Sequence, residues 1–229
     1  MNKIQTIYNT IFSLYGPQGW WPLLECKGTN PTKTGSIQGY HPNDYSYPKN
    51  NAQVFEICVG SILTQNTSWS NVEKALLNLK KRNALNTKGM MQLSDGKLRE
   101  LIKVAGYYNQ KARYLRGFLE FFKTLKKVPS REELLNIKGI GPETADSMLL
   151  YAFKVPSFVV DSYTKRIFSY CGLIQRKATY DEIKALCEQS IEPDLKIYQE
   201  FHALLVEHAK RYYSKKPFGL NCPLKKLFL

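Results

Sequence analysis

A glycine-punctuated turn between two apolar segments constrains this chain more than any other feature. The turn is Lys138-Gly139-Ile140-Gly141-Pro142, and further along a Val-rich run ends on Asp161. Glycines at these two positions permit positive φ and let the backbone approach another molecule closely. Pro142 suits the first turn of a helix, where its missing N–H costs nothing. Because successive N–H groups at a helix N-terminus bind phosphate, the pattern predicts a helical hairpin over about residues 130–150 that grips a phosphate.

The chain is strongly basic. Its 229 residues include 33 Lys and Arg against 19 Asp and Glu, a formal net charge of +14. This excess suits nucleic acid or an acidic membrane surface, but the charges are dispersed, so a basic protein without such a partner fits equally well. An apolar run of about 18 residues and an N-terminal signal-like segment are both absent from the sequence, so we expect neither a membrane span nor secretion.

Helical periodicity runs through most of the sequence, and β-branched alternation is nearly absent, so the chain is predicted to be all-α. Residues 26–51 are rich in Gly, Pro, Asn, Thr and Tyr without a period and predict a long loop, either functional or disordered. The terminal helices flank a central six-helix block, which predicts two lobes, 52–160 and 1–51 with 161–229, around a cleft. The predicted helices are 2–15, 52–63, 68–82, 86–92, 94–104, 109–126, 130–136, 142–152, 161–171, 179–190 and 194–213.

The hairpin, followed by Phe158-Val159-Val160 and Asp161, resembles the signature of the helix-hairpin-helix (HhH-GPD) DNA glycosylase superfamily, and specifically its endonuclease III-like members. The resemblance runs from about Trp20 to the C-terminus and is broken by an insertion at 26–51. It implies the two-lobed helical fold, and it implies a monomer, cytoplasmic and associated with the nucleoid, whose partner is double-stranded DNA containing a damaged base.

The resemblance also implies that Asp161 is catalytic. Cleavage of an N-glycosidic bond builds positive charge on the sugar, and a carboxylate stabilises that charge or activates a water molecule. A structural alternative is that Asp161 caps a helix that begins near Ser162, a position where Asp is favoured. The two roles are compatible.

Glu143 occupies an informative position in the hairpin. In bifunctional members of the family, a lysine stands just before the Thr/Ser-Ala pair, which here is Thr144-Ala145, and it attacks the sugar to form a Schiff base. A carboxylate cannot form an imine, so the resemblance implies base excision without efficient strand cleavage. The alternative is a first-turn Glu that is favoured only by the helix dipole.

Two further segments match family motifs that contact DNA. Gln65, in Leu-Thr-Gln-Asn-Thr, occupies the place of a Gln that enters the base stack beside the extruded nucleotide. Residues 106–112, Gly-Tyr-Tyr-Asn-Gln-Lys-Ala, match a Gly-aromatic-Tyr-Asn-x-Lys-Ala segment whose polar groups reach phosphates, although one of the two tyrosines is expected to pack in the core. The expected DNA contacts are Gln65, Asn66, Tyr108, Asn109, Lys111, Lys138, Gly139, Gly141, Thr144 and Lys165.

The three tryptophans make the resemblance closest to the 3-methyladenine glycosylases of the endonuclease III-like type, whose aromatic residues stack on the flipped base. A cationic alkylated purine binds electron-rich rings by cation–π attraction, so an alkylated purine is the expected substrate. Alternative substrates for a glycosylase of the same fold are uracil, mismatched thymine and an oxidised purine. A different class of function is also open, namely a non-catalytic helix-hairpin-helix module that only binds DNA. The expected pocket residues are Trp20, Trp21, Pro22, Trp69, Glu143 and Lys210.

The cysteines argue against a cofactor. Endonuclease III-like relatives often hold an iron–sulfur cluster by four cysteines spaced C-x6-C-x2-C-x5-C. That spacing laid on Cys222 puts Tyr212, Gly219 and Phe228 at the other positions, so no cluster, metal or other cofactor is expected. Tyr212 and Phe228 are expected to fill the space with aromatic packing.

Overall fold

A computed structural model describes residues 2–33, 36 and 38–227 of the chain; Phe228 lies outside this part. Most of the described residues are helical, which confirms the predicted all-α class. The helices are α1 (Lys3–Tyr15), α2 (Asn51–Leu63), α3 (Trp69–Lys81), α4 (Thr87–Gln92), α5 (Asp95–Ile102), α6 (Tyr108–Thr124), α7 (Arg131–Leu135), α8 (Pro142–Ser147), α9 (Ser162–Tyr170), α10 (Tyr180–Ser190) and α11 (Leu195–Tyr212). Short 3₁₀ helices cover Lys103–Ala105 and Pro223–Leu227.

Capping side chains explain where several of these helices begin. Asn2 accepts hydrogen bonds from the N–H groups of the first turn of α1. Capping boxes stand at the starts of α7 and α10, where Ser130 and Thr179 pair reciprocally with Glu133 and Glu182. These contacts satisfy N–H groups that have no partner within the helix, so the boundaries follow from local sequence.

Two helices carry most of the core. In α2 every residue from Phe55 to Leu63 is buried, and in α11 every residue from Tyr198 to Ala209 is buried. Helices α3, α6 and α8 pack against α2, whereas α1 and α9 pack against α11. After α8 the chain continues as a π-helical turn, Met148–Ala152, which contacts both central helices. The division into two lobes with a cleft remains a prediction.

Residues 51–152, all of which the structure describes, contain seven α-helical segments, which correspond one by one to the seven helix ranges predicted over 52–152 and are one more than the expected six-helix block. The predicted helix over 142–152 is divided, because its second half adopts the π turn. A π turn adds a residue to the helical repeat, and such turns are frequent at functional sites. It therefore changes which side chains face α11.

The described part of the 26–51 insertion is folded onto the protein. Gly28–Thr29 (β1) pairs antiparallel with Gln38–Tyr40 (β2). Leu23 N donates to Gly39 O at 2.9 Å, and a ring nitrogen of His41 lies 3.0 Å from Trp21 O. The described part of this loop is ordered, and its contacts support the Trp20-Trp21 segment.

Across the part of the chain that the structure describes, none of the helices is both long and apolar enough to cross a membrane.

Candidate active site

The Val-rich run delivers Asp161 to the N-terminus of α9. Phe158, Val159 and Val160 are buried, and the ammonium of Lys184 donates to Phe158 O at 3.2 Å, which fixes the course of the run. Asp161 is the N-cap of α9: its Oδ1 accepts from Thr164 N at 2.7 Å and from Thr164 Oγ1 at 2.8 Å. The predicted capping role is therefore confirmed. The second oxygen, Oδ2, makes no part of the cap and faces α11.

Glu143 is a second carboxylate whose pKa is influenced by the charge of Asp161. Its side chain is accessible to solvent, in the first turn of α8. Crowding by protein atoms raises the pKa of Glu143 to about 7, and the negative charge of Asp161 raises it further in the same direction. Like charges that share a site disfavour each other's ionisation. The coupling shows that the position implied for a lysine and the predicted catalytic acid lie within electrostatic reach of each other.

His202, which none of the sequence motifs indicated, is a candidate site residue beside Asp161. It lies on α11, with Nε2 at 3.9 Å from Asp161 Oδ2 and Nδ1 at 2.7 Å from the hydroxyl of Tyr151. Tyr151 belongs to the π turn, and its hydroxyl also donates to Gln199 O at 3.1 Å. Burial lowers the pKa of His202, although the charge of Asp161 opposes this shift. The residue is therefore neutral at neutral pH.

The tryptophans form one aromatic cluster beside these polar groups. Trp20 meets His202 edge-on with ring centroids 5.6 Å apart, and Trp21 meets Trp69 at 5.2 Å in the same manner. Trp21 also contacts Tyr151 at 5.3 Å and is 6% exposed, so it is the inner member of the cluster, whereas Trp20 and Trp69 are half-buried. The structure thus brings together three of the predicted pocket residues.

The indole N–H groups of Trp21 and Trp69 are buried and have no hydrogen-bond partner among the described residues. Buried donors are almost always paired in native proteins, so an orphan of this kind calls for a specific explanation. Pro22, another predicted pocket residue, is buried next to Trp21 in the chain. Lys210 is half-buried on α11; burial lowers its pKa, and its Nζ lies 3.9 Å from Glu207.

The hairpin presents an exposed turn. Lys138 and Gly141 are exposed, and Gly139 adopts φ +92°. Gly139 thus uses the positive φ that glycine permits, whereas Gly141 is extended with φ −92°. A Cβ at Gly139 would lie 2.2 Å from the ring of Tyr114, which gives a second reason for glycine at that position.

Gln65 connects the loop after α2 to this hairpin. Its Nε2 donates to Gly139 O at 2.9 Å and to Thr144 Oγ1 at 3.0 Å. Thr144 is buried, so its predicted DNA contact is wrong for the side chain; only its N–H in the first turn of α8 is available for that purpose. Asn66, next to Gln65, is exposed in the left-handed region with φ 53°.

The predicted DNA contact of Lys111 is wrong. The side chain is 2% exposed, and its ammonium donates to Leu63 O and Ala105 O at 2.8 Å each. Burial lowers the pKa of Lys111 to about 8. The lysine joins the C-terminus of α2 to the turn before α6, so it supports from inside both the loop that carries Gln65 and the start of the helix that carries Asn109.

The neighbouring tyrosines are divided between packing and exposure. Tyr107, which the sequence analysis did not select, is 66% exposed and left-handed with φ 46°, whereas the predicted contact Tyr108 is half-buried against the core. Asn109 is exposed. Lys165, also predicted to contact DNA, is half-buried and donates to Ala178 O at 2.5 Å.

The residues at the positions where relatives carry cluster-binding cysteines do not fit an iron–sulfur cluster. Cys222 Sγ lies 3.1 Å from His208 Nε2 and accepts from the hydroxyl of Tyr213 at 3.2 Å. Tyr212 packs against His208 with ring centroids 4.8 Å apart, in line with the expected aromatic packing. Within the described ranges, no three His, Cys, Asp or Glu side chains come together as a metal site. One thiol among aromatic rings cannot replace four thiolate ligands.

Comparison with known proteins identifies the class. Residues 59–193 match the HhH-GPD superfamily of base excision DNA repair proteins. A relative from Methanocaldococcus jannaschii, provisionally named a DNA repair glycosylase, is 42% identical over 238 residues, which cover 99% of this chain and 96% of the relative. The chain therefore belongs to the HhH-GPD superfamily, and the resemblance seen in its sequence is confirmed.

Two solved structures are similar throughout. One is the Helicobacter pylori 3-methyladenine DNA glycosylase MagIII bound to 1,N6-ethenoadenine, 26% identical with a TM-score of 0.70, covering 92% of this chain and 98% of that one. The other is endonuclease III in a non-covalent DNA complex, with a TM-score of 0.76 at 18% identity, covering 100% and 95%. The second likeness shows the fold alone.

Proposed function

We propose that this protein is a monofunctional DNA glycosylase. It flips a damaged base out of duplex DNA and hydrolyses the N-glycosidic bond with Asp161, and it leaves the sugar–phosphate backbone intact. The preferred base is an alkylated purine such as 3-methyladenine. The protein works as a monomer on double-stranded DNA and needs no metal or iron–sulfur cofactor.

One observation carries this proposal: the group beside Asp161 is the carboxylate of Glu143, not an amine. The charge of Asp161 contributes to the raised pKa of Glu143, so the two carboxylates lie close enough to serve one reaction centre. Two carboxylates favour an oxocarbenium-like sugar, and neither forms the imine through which a lysine cuts the strand. This combination supports base release without strand cleavage.

The aromatic cluster supports an alkylated purine. Trp20 and Trp69 are half-buried rings at the edge of the cluster, so each has surface available for stacking on a flipped base. A cationic purine gains cation–π attraction on such rings beyond ordinary stacking. Similarity to a 3-methyladenine glycosylase that was solved with an enlarged adenine base supports the same substrate class.

The surface around the hairpin supports duplex binding. Exposed backbone at Lys138 and Gly141 lies at the start of α8, where N–H groups bind a phosphate. The exposed side chains of Asn66 and Tyr107 extend from the two loops that Lys111 joins. A base can leave the stack only if other groups distort the duplex or fill the gap, and these loops offer such groups.

The test is release of bases from a panel of duplex oligonucleotides that carry 3-methyladenine, hypoxanthine, uracil, a thymine mismatch or 8-oxoguanine. We expect preferential release of 3-methyladenine, no borohydride-trapped complex, and gain of trapping and strand nicking in Glu143→Lys. Trapping by the wild type would contradict the monofunctional assignment. Preferential release of uracil, thymine or 8-oxoguanine would replace the substrate class, and tight binding without release would identify a binding module.

A further inference from the structure

Asp161 Oδ2 and His202 Nε2 face each other across a short gap. Asp161 Oδ1 is occupied by Thr164, so Oδ2 is the oxygen left for chemistry, and it lies 3.9 Å from His202 Nε2. That distance is longer than a hydrogen bond between nitrogen and oxygen. The two atoms are therefore not bonded to each other, and each is available to a third group.

The tautomer of His202 follows from its contact with Tyr151. The hydroxyl of Tyr151 has one proton and donates it to Gln199 O, which can only accept. His202 Nδ1 lies 2.7 Å from the same hydroxyl oxygen, so both contacts are satisfied together when Nδ1 carries the ring proton and donates it to that oxygen, and this tautomer is part of the inference below. Nε2 then presents a lone pair to Asp161. Burial, which lowers the pKa of His202, keeps the ring neutral in this arrangement.

We infer that Asp161 Oδ2 and His202 Nε2 together hold the water molecule that attacks the sugar. This inference rests on the proposed glycosylase function and adds His202 as a second residue in contact with the nucleophile. Water is the small molecule that donates two protons from one atom, and two hydrogen bonds of about 2.8 Å at an angle near 90° span the observed separation. Its lone pairs then point away from both acceptors, toward the substrate.

The reaction step balances on these residues. The water oxygen forms a bond to C1′ of the deoxyribose while the bond from C1′ to the base nitrogen breaks, and its electron pair leaves with the base. One water proton passes to Asp161 Oδ2. The other proton stays covalently bound to the new hydroxyl, which donates a hydrogen bond to His202 Nε2. A base that was cationic in DNA leaves neutral, and Asp161 afterwards returns its proton to solvent.

The surroundings of His202 fit an orienting role. Trp20 packs edge-on against one side of the imidazole and Tyr151 holds Nδ1, so the ring cannot rotate without losing both contacts. Asp161 is the charged group that faces Nε2. A fixed acceptor raises the fraction of time that the nucleophile spends in the reactive geometry.

Substitution tests the role in catalysis. His202→Leu removes the acceptor, and we expect single-turnover base release to fall about 100-fold while the Kd for uncleaved DNA stays the same. His202→Gln supplies an oxygen near the place of Nε2, and we expect it to retain a rate within about 10-fold of the wild type. His208→Leu, in the other buried histidine of α11, is the matched control: it loses stability, whereas the folded protein keeps its rate. Equal losses in His202→Gln and His202→Leu, or an unchanged rate in His202→Leu, would overturn the inference.

A spectroscopic measurement tests the geometry independently of any variant's folding. The chain has three histidines, so the ring nitrogens of ¹⁵N-labelled wild type are readily assigned. We expect His202 to be neutral with its proton on Nδ1; a proton on Nε2, or a charged ring at pH 7, would overturn the inference. If the wild type releases no base at all, the proposed function fails and the inference with it. If the wild type is active and His202 is insensitive, the inference alone fails.

Discussion

Thr164 occupies only one of the two carboxylate oxygens of Asp161. One oxygen of Asp161 accepts both the N–H and the hydroxyl of Thr164, at 2.7 and 2.8 Å, and so begins helix α9. The other oxygen is left for the reaction. The capping and catalytic interpretations of this residue therefore describe different atoms, and they respond differently to substitution.

Asp161→Asn should separate these roles. The amide oxygen still accepts from Thr164, so we expect the melting temperature to change little, while loss of the charge lowers single-turnover base release by at least about 100-fold. Asp194→Asn is the matched control, because Asp194 caps α11 through Ile197 N at 2.8 Å and lies outside the site. Equal release by wild type and Asp161→Asn would rule out the mechanism.

Lys111 and Lys138 should behave differently in DNA binding. Lys111 is buried between two carbonyl groups, so Lys111→Met should lower the free energy of unfolding by about 2 kcal/mol or more and leave the salt dependence of DNA affinity unchanged. Lys138 is exposed in the hairpin, so Lys138→Ala should keep stability and reduce the slope of log K against log salt by about one. DNA titrations at several salt concentrations measure the slope for each variant, and urea unfolding measures its stability. A reduced slope in Lys111→Met would show that Lys111 contacts a phosphate directly.

These lysines also show what the sequence can predict. Apolar periodicity and capping residues placed the helices well, because both act over a few neighbouring positions. The burial of Lys111 was missed, since lysine is rarely buried and its partner Leu63 lies 48 residues away. Residue type and motif position suggest a DNA contact, but only tertiary packing determines which way the side chain points.

His202 was missed for a related reason. In α11 twelve consecutive residues are buried, so polar and apolar positions do not separate into two faces, and no periodic signal marks His202. Its partner Tyr151 is presented by a π turn, which the helical pattern over 142–152 does not reveal. By contrast, the family resemblance implied roles in one site for both Asp161 and Glu143, because a family motif carries tertiary information that periodicity lacks; the influence of Asp161 on the pKa of Glu143 is in line with this.

The two hairpin glycines provide a matched pair of substitutions. Gly139→Ala places a Cβ against the Tyr114 ring at a backbone conformation with φ +92°, so we expect a loss of about 2 kcal/mol or more in unfolding free energy and weaker DNA binding. Gly141 has φ −92° and open space around its Cα, so Gly141→Ala should change stability by no more than about 0.5 kcal/mol. Urea unfolding measures the difference, and equal losses would contradict the described turn.

The aromatic cluster predicts two different tryptophan phenotypes. Trp21 is buried among Trp69, Trp20 and Tyr151, so Trp21→Ala should cost about 3–5 kcal/mol in stability as well as activity. Trp69 is half-buried at the edge, so Trp69→Ala should keep most of the stability and reduce release of the preferred cationic base more than release of a neutral base. Parallel kinetics on the two bases decide this, and an unchanged ratio would remove Trp69 from the stacking surface.

Glu143 makes the reaction depend on pH near neutrality. Crowding by nearby protein atoms, together with the charge of Asp161, raises the pKa of the solvent-accessible Glu143 from its ordinary value of 4.5 to about 7. Below that pH Glu143 is neutral, and above it a second carboxylate faces the developing sugar cation. We therefore expect kcat/KM, which reports the free enzyme, to rise as the pH increases through about 7 in the wild type and to lose this step in Glu143→Gln.

Stability provides an independent check on the same group. Because the pKa of Glu143 is higher in the folded than in the unfolded protein, its contribution to stability is fully present below about pH 4.5 and is lost as the pH rises through about 7. Glu143→Gln should therefore gain stability relative to the wild type between pH 5 and pH 8, as measured by urea unfolding at both values. The stability difference between Glu143→Gln and the wild type could instead be the same at pH 5 and pH 8, and the two proteins could share one pH–rate profile. That result would show that Glu143 and Asp161 are not coupled, and it would remove the second carboxylate from the mechanism.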